Sequence, residues 1–191
     1  MRTKIFCIGL LMLGLMTSLS DRAAGQRRDY MTEEEIELVR DAQDIDERIE
    51  VLTAMIERRF TALKTDTANP KPIKESEKWG PAPSGTRLEL LDDIRRLIQK
   101  AIDDIDNSFE HPTDYSLDKD RTEKQKKRDA QRFPAAVRSL AASSRRYLPV
   151  FKTLLERSKD EREKGVIIDA IESCEQVIDA AAKLPAEPKD K

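Results

Sequence analysis

An all-α fold, a mainly antiparallel bundle of about four helices behind an N-terminal signal segment, is predicted by three observations. Four stretches carry apolar residues at steps of three and four, the spacing of one helical face. A hydroxyl residue followed three positions later by Glu or Gln stands near the start of each stretch, the pattern of a capping box. No stretch shows the strict alternation of a half-buried strand.

The first segment covers about 33 to 63, with Ile36, Val39, Ala42, Ile45, Ile49, Leu52, Ile56, Phe60 and Leu63 in one stripe. Its start signal is Thr32…Glu35. The second covers about 87 to 109, from Leu90 through Ile94, Ile98 and Ile105 to Phe109, opened by Thr86…Glu89. The third has its apolar part from Phe133 through Val137, Leu140, Tyr147 and Phe151 to Leu155, with Thr122…Gln125 upstream. Pro134 and Pro149 fall within it. Each lacks an N–H and crowds the preceding turn, so Thr122 to Arg132 is expected to form a separate polar lead-in, with a kink at Pro149. The fourth runs from Val166, Ile167 and Ile168 through Cys174 and Val177 to Leu184. Between Leu155 and Val166 no large apolar residue occurs, and Ser158…Glu161 marks a turn there. Such a turn makes helices three and four an antiparallel hairpin; the alternative is one long helix with a solvated middle.

The connection from Lys64 to Gly85 holds Pro70, Pro72, Pro81 and Pro83 and reads as a long surface loop. It contains Trp79, the only tryptophan. That side chain is expected to fold back over an end of the core; the other reading is an exposed anchor for a partner. From about Pro185 the polar, proline-bearing end is expected to fray.

Ahead of the helices, Arg2 and Lys4 precede the uncharged run Ile5 to Met16. A basic start, a short apolar stretch and small residues after it form the pattern of a signal peptide. Ala23 and Gly25 suit cleavage before Gln26, and Ser18 and Ser20 suit cleavage before Asp21. An uncleaved anchor is the alternative, but a spanning helix wants about 20 apolar residues and charge returns at Asp21. Cys7 has no small-residue cleavage box before it, which argues against a lipid anchor. The division expected is thus 1–25 as signal and 26–191 as one helical domain, secreted or periplasmic. Removing three of the 35 basic residues and one of the 37 acids moves the net charge from −2 to about −4. Cys174 remains as a lone thiol on an apolar stripe, so burial is expected and no internal disulfide can form.

Several chemistries find no residues here. His111, the only histidine, and Cys174 cannot together supply the ligands of a common zinc site. Glu-x-x-His spacing for a di-metal bundle and Cys-x-x-Cys-His for haem are both missing from the sequence. Gly80, Gly85 and Gly165 form neither a phosphate loop nor a nucleophile elbow. The acids Asp103, Asp104, Asp106, Glu110, Asp114, Asp118 and Asp120 cluster around the end of helix two, without the central glycine of a calcium loop. No cofactor and no catalytic or metal-binding residue is expected, and His111 reads as a solvated loop residue.

Charge is the uneven feature. Thr32 to Leu63 carries ten acids and four bases, whereas Arg121 to Lys152 carries ten bases and two acids. One reading is that basic helix three lies beside acidic helices and sets their packing order. The sharper one makes Lys124, Lys126, Lys127, Arg128 and Arg132 a patch for an anionic partner, an acidic protein or a lipid headgroup surface. That stretch has no large apolar residue with which to insert into a membrane. An acidic exported chain is also a poor partner for nucleic acid. The function expected is therefore a non-enzymatic interaction or scaffold protein, able to self-associate, with a small-ligand carrier using the bundle core as the alternative.

Overall fold

The computed structural model describes residues 28–67, 77–112 and 122–185. Within them the chain is all-helical: α1 (Glu33–Asp41), α2 (Ile45–Ala62), α3 (Arg87–Glu110), α4 (Glu123–Arg157) and α5 (Glu161–Ala182), with a 3-10 turn at Glu77–Trp79. The segment expected to be a signal peptide, Asp114, Asp118, Asp120 and the tail beyond Pro185 lie outside the described residues.

Five helices replace the four expected, because the first apolar stripe is broken at Ala42 to Asp44. Two side-chain hydrogen bonds stabilise the break. Gln43 Nε2 donates to the Arg40 carbonyl at 2.7 Å, and Arg48 Nε to the Ala42 carbonyl at 3.1 Å. Carbonyls that lose their helical donors at a terminus are thus satisfied locally. Asp44 then takes the extended N-cap position of α2. An unbroken stripe in sequence could not show that α1 folds back along α2.

Capping boxes form at Thr32/Glu35, Thr86/Glu89 and Thr122/Gln125, each with both reciprocal bonds. The fourth start differs from the expectation. Ser158 ends α4 in an extended conformation, and Asp160 caps α5 by accepting from Arg162 N at 2.8 Å. Ser158 Oγ instead donates to Glu163 Oε2 at 2.9 Å. The turn lies where the sequence put it; the capping residue is two positions later.

Helix α4 runs unbroken through Pro134 and Pro149, so Thr122 to Arg132 is not a separate lead-in. Each proline deprives the carbonyl four residues earlier of its donor. Those carbonyls belong to Ala130 and Arg145, both exposed, where water can replace the missing bond.

Pairings fix the directions of the four long helices. Asp46 meets Arg132, Glu57 meets Arg146 and Phe60 meets Tyr147 and Phe151, so α2 and α4 run parallel. Arg87 at the start of α3 meets Glu163 at the start of α5, placing that pair parallel also. Arg59 lies near Asp93, and the short Ser158–Asp160 turn folds α5 back on α4. Two antiparallel hairpins, α2/α3 and α4/α5, therefore sit side by side.

Their inner faces make one core. It includes Ile49, Leu52, Ile56 and Phe60 of α2, Leu91, Ile94, Leu97 and Ile98 of α3, Leu140, Tyr147 and Phe151 of α4, and Ile167, Cys174 and Val177 of α5. Several residues assigned to these stripes from the sequence are only half-buried, and two are exposed. Phe109 is 71% exposed, in the last turn of α3, with its ring 5.6 Å from that of Phe133. Ile168 is 42% exposed on α5. Helical phase places a residue on a side of its helix, but a neighbour must reach that far to cover it.

Candidate functional site

Helix α4 outruns its neighbours at its N-terminal end. Arg132 already touches Asp44, at the very start of α2, and Phe133 touches Phe109, at the end of α3. Residues 123 to 131 thus project past the bundle by roughly 12 Å at 1.5 Å per residue. All are polar or small, and all but Asp129 are exposed.

Lys124, Lys126, Lys127 and Arg128 lie on this projection. Lys126 Nζ is 2.8 Å from Glu123 Oε1 on the same helix. Lys124, Lys127 and Arg128 have no ion-pair partner among the described residues. Only Lys124 of the three lies in the first turn, where the helix dipole disfavours a cation by about 0.3–1 kcal/mol. Lys124 also stands three and four residues from Lys127 and Arg128, and like charges so spaced repel, so helix stability does not explain their placement.

Arg132 does not belong to this surface. It is buried, with Asp44 at 2.6 Å, Asp46 at 2.7 Å, Asp129 at 3.4 Å and Glu47 at 3.8 Å. Burial works against its charge, but the hydrogen bond and field of Asp46, with Asp44 and Asp129, outweigh it and hold the guanidinium charged above its ordinary range. This contact joins the start of α2 to α4, the pairing of acidic and basic helices that the charge distribution suggested.

A second charged cluster was missed by sequence reading. Glu35 of α1 is fully buried and accepts from two consecutive arginines of α2. Arg58 Nη1 lies at 2.8 Å and Arg59 Nη1 at 2.6 Å from Oε1, while Arg59 Nη2 lies 2.6 Å from Oε2. Glu35 is also the capping-box acid of α1, accepting from Thr32 N at 3.2 Å. Its lone pairs are committed to four donors, three guanidinium N–H groups and one backbone N–H, which leaves the carboxylate no direction for proton transfer.

Around this centre residues 79 to 81, ahead of α3, are drawn inward. Arg58 donates to the carbonyls of Trp79 at 3.1 Å and Pro81 at 2.9 Å, and its guanidinium lies 5.4 Å from the Trp79 ring centre. Trp79 is buried, as expected of a side chain folded back over the core. Gly80 makes the turn possible: its φ is +62°, and a Cβ there would stand 2.5 Å from Glu34 Oε2. On the other side Arg28 pairs with Asp93 of α3 and donates to the Ser84 carbonyl. Burial pushes the Asp93 carboxyl above the usual aspartate range, although Arg28 and Arg59 pull it down.

A third polar group lies between α2 and the α4/α5 hairpin. Glu57 accepts from Thr67 Oγ1 at 2.5 Å and Arg146 Nη2 at 2.9 Å. Nearby, the buried Tyr147 hydroxyl lies close to Glu57 and Ser143, and Ser144 Oγ close to the Cys174 thiol, but neither makes a well-formed hydrogen bond among the described residues. Burial drives the Tyr147 hydroxyl pKa well up and pushes the Cys174 thiol to about 12. His111 is exposed and ends α3.

Among the described residues no group of three or more His, Cys, Asp and Glu side chains is arranged to hold a metal ion. Within the same residues no helix is long and apolar enough to cross a membrane. Comparison with known proteins found no matching family, no curated relative and no similar solved structure.

Proposed function

We propose that this chain is an exported, non-enzymatic helical protein that acts by binding, with the projecting end of α4 as its contact for an acidic protein partner. The observation that carries the reading is the trio Lys124, Lys127 and Arg128, exposed, crowded on one helical face and without an ion-pair partner among the described residues. Cations kept at a position unfavourable to their own helix are accounted for by a partner that supplies the missing charge. An acidic polypeptide suits this better than a bilayer, since residues 123 to 131 offer no large apolar side chain to insert. Export rests on the basic, apolar and small-residue pattern of residues 1 to 25.

The test uses polyglutamate and phosphatidylserine vesicles as probes of the cleaved chain. Polyglutamate binding that weakens at least tenfold in Lys124→Ala/Lys127→Ala/Arg128→Ala, and falls with added salt, supports the proposal. Salt-independent binding, or binding to vesicles alone, overturns it. Fractionation of the producing cells checks export; the full-length chain retained in the cytosol would sink that part.

A second reading, a small-ligand carrier, is favoured by the Tyr147 and Ser144 hydroxyls, buried in the core without a well-formed hydrogen bond among the described residues. A buried hydroxyl without a partner costs about 1–3 kcal/mol, which a bound polar molecule would relieve. Native mass spectrometry of protein purified without denaturant reads this directly. A spectrum of the bare chain alone would remove the carrier.

A further inference from the structure

The outer side of the α4/α5 hairpin carries two charge sets of opposite sign. On α4, Arg138, Arg145 and Lys152 recur every seven residues and so share one shoulder of the helix. Arg138 donates to the Pro185 carbonyl just past α5, which identifies this as the shoulder on the α5 side. Arg145 and Lys152 are exposed and have no ion-pair partner among the described residues. On α5, Ile168, Glu172, Glu175 and Asp179 follow at steps of three and four, all exposed. The three acids likewise have no ion-pair partner among the described residues.

Height along the hairpin matches the two sets. Ser144 lies beside Cys174, so Arg145 stands level with Glu172 and Glu175. Counting outward from that level, Lys152 falls near Ile168 and its neighbour Asp169, and Arg138 near Asp179. Within one chain the two sets point outward, side by side, and do not meet. A two-fold axis parallel to the helices would lay α4 of one molecule over α5 of another with each level preserved. Arg145 would then face Glu172 and Glu175, Lys152 would face Asp169, and the two exposed Ile168 side chains would be covered. Because the contact is the same in both directions, it closes at two molecules.

We propose that the partner for this face is a second copy of the chain, docked through the two α4/α5 hairpins about such an axis. The proposal rests on reading the protein as a binding module and names one partner for a different surface from the α4 projection. The acids of α1 and α2 are a weaker choice for the basic shoulder. Asp44, Asp46 and Glu47 are already engaged by Arg132, and docking there would be head-to-tail and open-ended. An interface built mainly on exposed ion pairs is weak and sensitive to salt.

Sedimentation velocity on the cleaved chain, at concentrations up to the order of 100 µM and low ionic strength, is the test. A monomer–dimer equilibrium is expected, with dissociation at least tenfold easier in 0.5 M salt. Arg145→Glu/Lys152→Glu and, separately, Glu172→Lys/Glu175→Lys should each be monomeric while keeping wild-type helicity by circular dichroism. Mixing the two reversed variants should restore a one-to-one dimer, because both contacts become complementary again. Arg145→Gln/Lys152→Gln gives a milder check should a reversed variant lose helicity. A monomer under all conditions, species that keep growing with concentration, or no recovery on mixing would each overturn the proposal. Lys124→Ala/Lys127→Ala/Arg128→Ala should dimerise normally, so failure of the polyglutamate test and failure of this one remain distinguishable.

Discussion

The α4/α5 hairpin and the corner formed by α1, α2 and the loop at Trp79 are held by different forces. In the hairpin, apolar faces meet: Leu140, Phe151, Ile167, Cys174 and Val177 are buried with little charge among them. In the corner, Glu35, Arg58, Arg59 and Asp93 are buried together. Contacts of the first kind are non-directional and tolerate small shifts. Those of the second are directional and tolerate loss of a partner badly. The hairpin should therefore fail gradually under substitution, and the corner abruptly.

The sharpest way to break this contrast is Glu35→Ala, which strands two guanidinium groups in a buried site. Removing one partner of a buried ion pair costs about 3–5 kcal/mol, and urea unfolding followed by circular dichroism would measure it. Adding Arg59→Met should return part of that loss, since one orphaned charge goes with it. Strict additivity of the two changes would show that the corner is not one network. Phe60→Ala, where α2 meets Tyr147 and Phe151, is expected to cost about 3–5 kcal/mol by leaving a cavity, without any such rescue.

Asp93 sharpens the comparison through pH. Its folded-state pKa is raised, chiefly by burial, so the fold holds the proton more tightly than the unfolded chain does. Its contribution is present in full below the ordinary aspartate pKa and is lost as pH rises through the folded value. Measured against Asp93→Asn, the wild-type protein should therefore gain relative stability as pH falls across that window. A difference that runs the other way would mean that Arg28 and Arg59 dominate over burial. The smallest effect is expected at the helix starts: Thr122→Ala removes the hydroxyl that accepts from Gln125 N, leaves the backbone half of the capping box, and should cost about 1 kcal/mol. The same change at Thr32 should cost more, because the box acid there is also the centre of the buried network.

Much of the hairpin was legible in the sequence for the reason that makes it robust. Period and capping chemistry are local, so the turn after Leu155 and the burial of Cys174 could be read directly. The corner was not, because a buried Glu35 looks like any acid on an amphipathic helix until Arg58 and Arg59 are brought to it. Two adjacent arginines in the last turns of α2 were the only available signal, and adjacency on a helix usually places one of the two in solvent. The break at Ala42 stayed hidden for a similar reason: the side chains that satisfy it, Gln43 and Arg48, are ordinary helix formers. For the basic patch, composition placed four of five residues on an exposed surface, and a long-range acidic cluster claimed Arg132.

Cys174 gives this molecule a built-in clock. Its thiol is fully enclosed and held near a pKa of about 12, so in the closed hairpin it is both unreachable and protonated. Alkylating reagents attack the thiolate, and only an opened molecule can present one. The rate at which the native protein is labelled therefore counts excursions in which α5 lifts from α4. One mass measurement per time point would follow those excursions, without any engineered probe.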